Sequence, residues 1–350
     1  MMFRLPDDKT LYQALLDRDD SFDGRAFVGV TTTGIFCRLT CPARKPKPEN
    51  CRFFETVGQC IENGYRACKR CLPLQPAAMA EPVIAQLLEA LKQRPAYRWR
   101  EDDIQRMGLD PSTVRRAFKR HFDMTFLEMA RQHRLRNGFQ SLSEGSKVID
   151  AQLSAGFDSA SAFRKAFARL TGIAPGDFVS DALLKASWLE TPIGPMLAVC
   201  DTRHLHMLEF LDRKALPNEL KRLRSFAKGS FGLGRTGVTD QIEAELQQYF
   251  AGKSAEFTTP LALHGSEFTR RVWRELMTIP AGDTRSYSEI ARQIDKPSAV
   301  RAVARANGAN QIALVIPCHR VIGANGALTG YGGGIWRKQK LIELERQLIQ

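Results

Sequence analysis

The spacing of apolar positions changes several times along the chain, and each change marks an element or a boundary. Leu11, Leu15 and Leu16 share one face of a helix predicted over 9–20, which stops at an Asp run. Phe27 to Thr33 is rich in β-branched residues and predicts a strand leading toward Cys37. Three prolines between Leu72 and Pro82 predict a linker, after which Val83, Ile84, Leu87, Leu88 and Leu91 fall at helical spacing. Val114 to Arg120 is then echoed 49 residues later by Phe163 to Arg169, each copy alternating an apolar stripe with Arg and Lys. The first copy opens at Asp110 before Pro111, the second at Asp158 or Ser159, and each follows a shorter helical segment that ends near Gly108 or Gly156. That is the layout of two helix-turn-helix units. From Trp188 the pattern becomes strand-like to Cys200, with Leu205 to Phe210 as a hairpin partner. Helices are predicted at 241–250 and 267–276, and Ser286-x-x-Glu289 is a capping box that starts another. An Ala-rich helix over 298–307 follows, from which Arg301 projects.

Composition narrows the functional classes. A chain of 350 residues divides into two to four domains, and its 43% hydrophobic content is that of folded protein. A formal charge of +13 favours a polyanionic partner, nucleic acid first. The first residues show no charged region followed by an apolar core, and no apolar run is long enough to span a bilayer. A cytoplasmic protein with no membrane partner is expected. In that compartment eight cysteines read as metal ligands or nucleophiles before disulfides.

Two cysteine pairs stand out. Cys37-x3-Cys41 and Cys68-x2-Cys71, with 26 residues between them, have the spacing of a four-cysteine zinc site. Arg38, Arg44, Lys45, Lys47, Arg66, Lys69 and Arg70 crowd the same stretch, a density that points to phosphate. Four thiolates on one zinc leave a formal charge of about −2, so such a cluster can attack an electrophile as well as support a small fold; both roles stay open on spacing alone. Cys51 and Cys60 fit no second site and are expected to be inert thiols, and Cys200 to pack in the sheet. Near the C-terminus, Ile316-Pro317-Cys318-His319-Arg320 sets a thiol beside an imidazole, a nucleophile next to a base. A lone Cys-His pair is also compatible with a buried structural thiol.

These motifs together resemble the Ada family, the bacterial adaptive-response proteins to DNA methylation. The N-terminal likeness rests on Thr32-Thr33-Gly34-Ile35-Phe36-Cys37, Cys41-Pro42-Ala43-Arg44, Glu49 to Phe54 and Cys68-Lys69-Arg70-Cys71. It implies one zinc ion held by Cys37, Cys41, Cys68 and Cys71, with Cys37 accepting a methyl group from a DNA methylphosphotriester. Thr33, Arg44 and Arg66 fall on family positions that hold DNA phosphates, and Pro42 stands where the family has a basic contact. The central repeat resembles the AraC-type DNA-binding domain, and Ser112, Arg115, Arg116, Lys119, Ser161, Arg164 and Lys165 are the candidate groove and phosphate contacts. The C-terminal motif is similar to the catalytic segment of DNA O6-alkylguanine alkyltransferases, with Tyr287, Arg301, Asn310, Tyr331 and Glu345 at matching offsets. The resemblance implies direct displacement by Cys318 on the methyl of O6-methylguanine, with O4-methylthymine as a further substrate. His319 acts as base, held by Glu345, while Tyr287 binds the departing base, Asn310 braces the site and Arg301 fills the gap left by the flipped nucleotide.

The expected architecture is multidomain α+β. A zinc-stapled α/β domain (1–73) precedes an all-α double helix-turn-helix domain (83–181). An alkyltransferase follows as a sheet subdomain (186–264) and a helical, helix-turn-helix-like catalytic subdomain (265–350). The expected activity is a suicidal methylated-DNA–protein-cysteine methyltransferase that becomes a transcriptional activator when Cys37 is methylated. Its partners are methylated and promoter double-stranded DNA and RNA polymerase, and it is expected to be a monomer. Two alternatives remain: a zinc-dependent transcription factor that only binds alkylated DNA, and an alkyltransferase whose zinc domain anchors it without methyl-dependent regulation.

Overall fold

The computed structural model describes residues 5–74, 82–122, 124–226, 230–324, 326, 328 and 330–348. Part of the predicted Pro-rich linker, residues 75–81, lies outside them.

The first unit opens with α1 (Asp8–Asp17), where Asp7 caps the helix by accepting from the Thr10 amide at 2.8 Å. The single strand expected from Phe27 to Thr33 is instead a hairpin: β1 (Phe27–Val30) turns at 31–34 and returns as β2 (Ile35–Arg38). Gly34, at φ 65°, makes that reversal possible and sets Cys37 inside the second strand. With β3 (Cys51–Phe54), α2 (Val57–Glu62) and β4 (Arg66–Ala67), the sheet runs in the order β3-β1-β2-β4. One face buries Leu11, Leu15, Phe22, Val28 and Leu39 around the four cysteines of the two pairs.

Next come α3 (Pro82–Gln93), α4 (Glu101–Arg106), α5 (Pro111–Phe122), α6 (Phe126–Ser143), α7 (Val148–Ser154) and α8 (Ala160–Thr171). The α4–α5 and α7–α8 pairs are the two repeated units. Asp110 caps α5 by accepting from the Thr113 amide at 2.7 Å, and Ser159, rather than Asp158, caps α8. Helix α6 bridges the units: Phe126 and Ala130 enter the core of the first, Leu135 and Phe139 that of the second.

In the C-terminal half, β5 (Lys185–Leu189), β6 (Met196–Cys200) and β7 (Leu205–Phe210) form an antiparallel meander, broken at Pro192–Gly194 as the turn residues require. Helix α9 (Leu216–Phe226), edge strand β8 (Gly232–Leu233) and α10 (Gly237–Phe250) complete this subdomain. Phe139 of α6 and Phe163 and Phe167 of the second repeat share one hydrophobic core with Leu184, Leu197, Val199 and Met207. The expected boundary at 181–186 therefore runs through continuous packing.

Helix α11 (Glu267–Met277), β9 (Arg285–Ser286), α12 (Tyr287–Gln293), α13 (Val300–Gly308), β10 (Val321–Ile322) and α14 (Ile335–Gln347) form the last subdomain. Val272, Trp273 and Leu276 anchor α11 against α13, and the Trp273 indole donates to the Ala306 carbonyl at 2.8 Å. Parallel pairing of β9 with β10 sets Val321 opposite Arg285 and Ile322 opposite Ser286, so the Cys318–Arg320 turn leads into this pair and α12 leads out of it. Among the described residues, no helix is long and apolar enough to cross a membrane.

Candidate functional site

Two reactive centres are built on these units. In the first, the Sγ atoms of Cys37, Cys41, Cys68 and Cys71 lie within 4.8 Å of one another, and all four residues are buried. A closed set of four sulfurs is the donor chemistry that tetrahedral zinc selects, so the residues fit the ion. Backbone amides reach two of the sulfurs: Arg38 donates to Cys71 at 3.4 Å and Arg70 to Cys68 at 3.4 Å. Each amide bond withdraws charge from the sulfur that accepts it.

The surrounding basic residues divide into two sets. Arg38 is buried and donates to the Cys71 carbonyl at 3.1 Å, and Lys45 turns inward to the Leu39 carbonyl at 3.2 Å. These two cations hold the cysteine loops rather than facing outward. Thr33, Arg44, Arg66, Lys69 and Arg70 are exposed on the same unit.

The second centre is a turn. The loop after α13 passes through Leu314 at φ 69°, a conformation a leucine holds only under strong tertiary constraint, before reaching Cys318. The Asn310 amide nitrogen donates to the Cys318 sulfur at 3.1 Å and to the Ile316 carbonyl at 2.8 Å. The adjacent Asn307 donates to the Cys318 carbonyl at 3.4 Å. Burial pushes the Cys318 thiol up, against the pull of the Asn310 bond.

Behind it, Nε2 of His319 lies 2.8 Å from Glu345 Oε1. Arg320 bonds both Glu345 oxygens at 2.9 Å, the Tyr249 hydroxyl donates to Oε1 at 2.8 Å, and the Gly282 amide donates to Oε2 at 3.2 Å. Burial works to raise the Glu345 carboxyl, but His319 and Arg320 outweigh it and hold it well below its usual range. An ionised Glu345 fixes the proton of His319 on Nε2, and Nδ1, buried without a protein partner, is left as the basic nitrogen. Burial also pushes the His319 imidazole down, which keeps it neutral and able to accept a proton.

The pocket over Cys318 is lined by Glu209, Arg213, Asn307, Gly308, Ala313 and the stretch Gly330–Gly333, and encloses about 10 Å³. The Tyr287 hydroxyl lies 3.6 Å from where a Cβ on Gly330 would stand. Arg301 is exposed on α13. On the central domain, Ser112, Arg115, Arg116, Lys119, Ser161, Arg164 and Lys165 are all exposed, with Arg115 paired to Glu101 at 2.6 Å.

Sequence reasoning brought Cys318, His319, Asn310 and Glu345 to one place, and the structure sets Asn310 on the Cys318 sulfur and His319 on Glu345. It missed Tyr249, Gly282, Glu209 and Arg213, which arrive from distant elements. Only Arg320, adjoining the Cys-His pair, carried a local signal.

Comparison with known proteins places these centres in context. Residues 10–73 match the family model described as the metal binding domain of Ada, and 104–181 match a helix-turn-helix domain. Residues 184–263 match the ribonuclease-like domain, and 267–347 the DNA binding domain, of 6-O-methylguanine DNA methyltransferase. The chain is 33% identical to the bifunctional transcriptional activator/DNA repair enzyme Ada of Escherichia coli, over 98% of this chain and 97% of that protein. It is 48% identical to a methylated-DNA–protein-cysteine methyltransferase of Mycobacterium tuberculosis, over 45% of this chain and 90% of that protein. The crystal structure of the Mycobacterium tuberculosis O6-methylguanine methyltransferase is 44% identical, covers 47% of this chain and 93% of its own, and superposes with a TM-score of 0.41.

Proposed function

The chain belongs to the Ada family, and from that premise we propose that it repairs methylated DNA at two cysteines and uses one of the transfers to become a transcriptional activator. It is a DNA-binding methylated-DNA–protein-cysteine methyltransferase with one four-cysteine zinc site. The observation that carries the reading is the contact chain Asn310–Cys318 and His319–Glu345 under a glycine-lined pocket.

At the C-terminal centre the chemistry is a displacement. The sulfur of Cys318 attacks the methyl carbon on guanine O6, the S–C bond forms and the C–O6 bond breaks. His319 Nδ1, which makes no direct bond to the sulfur, draws off the thiol proton through a bridging water, and the departing base takes a proton at N1 and leaves as neutral guanine. Tyr287 hydrogen-bonds that base. The methyl group lies inside the stack of intact DNA, so the nucleotide is flipped out toward Cys318, which requires the Gly330–Gly333 wall of the pocket to open, and Arg301 fills the space it leaves. The thioether is stable, so each protein molecule acts once. O4-methylthymine presents the same alkyl–oxygen bond and is the second substrate.

At the N-terminal centre, Cys37, Cys41, Cys68 and Cys71 hold zinc, which when bound keeps the four sulfurs ionised with a formal charge of about −2. Cys37 takes the methyl of a phosphotriester, and the phosphodiester anion leaves. A thiolate becomes a neutral thioether, which removes one negative charge from a surface that faces DNA phosphate through Thr33, Arg44 and Arg66. Promoter affinity rises in consequence, with α5 and α8 in successive major grooves. The activated protein works as a monomer in the cytoplasm and engages RNA polymerase. The domain limits 1–73, 83–181, 186–264 and 265–350 are the units of this activity.

Titration of a duplex carrying O6-methylguanine tests the repair reading. We expect an end point of one methyl per protein and none with Cys318→Ala; continued turnover, or full activity of Cys318→Ala, overturns it.

A further inference from the structure

One buried charge cluster touches the reactive pocket without any part in the chemistry above. Glu209 is the penultimate residue of β7, with its side chain in the protein interior, where a strand residue is expected to be apolar. Its carboxylate pairs with Arg213, from the loop before α9, and accepts from the Phe210 amide at 2.9 Å. Arg213 also pairs with Glu219 of α9 at 2.9 Å. Burial pushes Glu209 up to about 7 despite the opposing pull of Arg213. A hydrophobic side chain would fill this corner at lower cost, so the pairing needs a reason beyond stability.

The reason lies on the far side of the guanidinium. Nη1 of Arg213 donates to the Asn310 carbonyl at 2.8 Å and Nη2 to the Gly308 carbonyl at 2.8 Å. These carbonyls belong to the turn that ends α13, where a cation also meets the negative end of the helix dipole. The same turn presents the Asn310 side chain to the Cys318 sulfur. On its open side the guanidinium is roofed by Gly332: a Cβ there would lie 2.9 Å from Cζ of Arg213 and 3.0 Å from Nε. Gly333 rests likewise on Phe210, where a Cβ would stand 2.7 Å from the ring. Three parts of the site, namely the Asn310 turn, the glycine loop and the sheet, are therefore referenced to one side chain.

We infer that Arg213, clamped by Glu209 and Glu219, is a positioning residue of the methyl-transfer site: it acts through Asn310 and Gly332 to set the thiol and the pocket wall, and so makes the sheet subdomain a working part of the catalytic one. The inference rests on Cys318 being the methyl acceptor. The four N–H groups of Nη1 and Nη2, held in a rigid planar fork, serve two carbonyls and two carboxylates at once, which a lysine ammonium cannot reproduce.

Single-turnover transfer from O6-methylguanine DNA, followed across DNA concentration, separates the saturating rate constant from the DNA concentration at half-saturation. For Arg213→Met we expect the rate constant to fall by about 10- to 100-fold, the scale of a small misplacement of reacting groups, with half-saturation within about twofold. Arg213→Lys, which keeps charge and bulk, is expected to recover less than half of the lost rate and serves as the test if the methionine variant does not fold. A rate constant equal to that of the unaltered protein overturns the inference, as does a loss shared equally by half-saturation and thermal stability. Failure of the unaltered protein to transfer methyl at all overturns the repair reading instead.

Discussion

Glu345 is the residue on which the catalytic centre depends most. It is buried with His319 and Arg320, and each of its oxygens takes at least two bonds. Glu345→Gln keeps the volume but leaves Arg320 with an uncompensated buried charge, a change expected to cost about 3–5 kcal/mol, read by urea unfolding. The pH dependence follows from the same contacts. The folded pKa of Glu345 is depressed, so its stabilisation is present above the unfolded carboxyl value of about 4.3 and is lost as pH falls toward the folded one. His319 is also depressed, so its contribution is complete above about 6.5 and declines below that pH, where the unfolded chain takes up the proton first. For methyl transfer, the neutral imidazole persists below its ordinary range while the Cys318 thiol titrates above its own. The rate is therefore expected to be level from roughly pH 6.5 to 8.5. A tenfold rise per pH unit across that interval would mean simple thiolate titration without a base. The cysteines, His319 and Glu345 were legible as residue types at set offsets. Tyr249 and Arg213 were not, because their importance comes from contacts across 96 and 97 positions of chain.

Elements with one apolar stripe were read well, and those that bury two sides were not. Helices α5 and α8 each present a single stripe, Val114, Ala117 and Phe118 in one and Phe163 and Phe167 in the other, and the repeat was visible for that reason. Helix α6 buries Phe126 and Ala130 toward one unit and Leu135 and Phe139 toward the next, so no stripe persists along it. Its close approach to α7 and α8 depends on Gly138. A Cβ there would stand 2.7 Å from the Phe163 ring and 3.0 Å from the Ala151 carbonyl oxygen. Gly138→Ala is expected to destabilise the central domain by about 1–3 kcal/mol, measured by denaturation, and to weaken promoter binding. Wild-type stability in this variant would mean that the helices are not packed this closely. The hairpin at Cys37 was misread for a local reason: a β-branched run says strand, but Gly34 at positive φ decides where the strand turns back.

Across the whole molecule, the sensor and the catalytic subdomain share a boundary. Gly24 packs on Gln339 and Glu343 of α14, and a cleft of about 810 Å³ opens where Arg18, Arg38, Lys119, Arg120, Trp336 and Gln339 meet. Each unit nevertheless has its own core. Removing zinc with a chelator is expected to unfold the first unit and abolish transfer to Cys37, because its thin core closes around the cysteines. Transfer to Cys318 is expected to survive, as its packing includes none of them. Circular dichroism with methyl transfer measured in parallel reads both effects, and loss of both transfers would show that the units are coupled. The central claim, two independent acceptors in one chain, has a more direct test. The protein is mixed with DNA carrying labelled methyl groups on both backbone phosphate and guanine O6, and the label is located by peptide mapping. We predict label on Cys37 and Cys318 and on no other cysteine; label on Cys318 alone would reduce the zinc unit to an anchor, and label on neither would contradict the account.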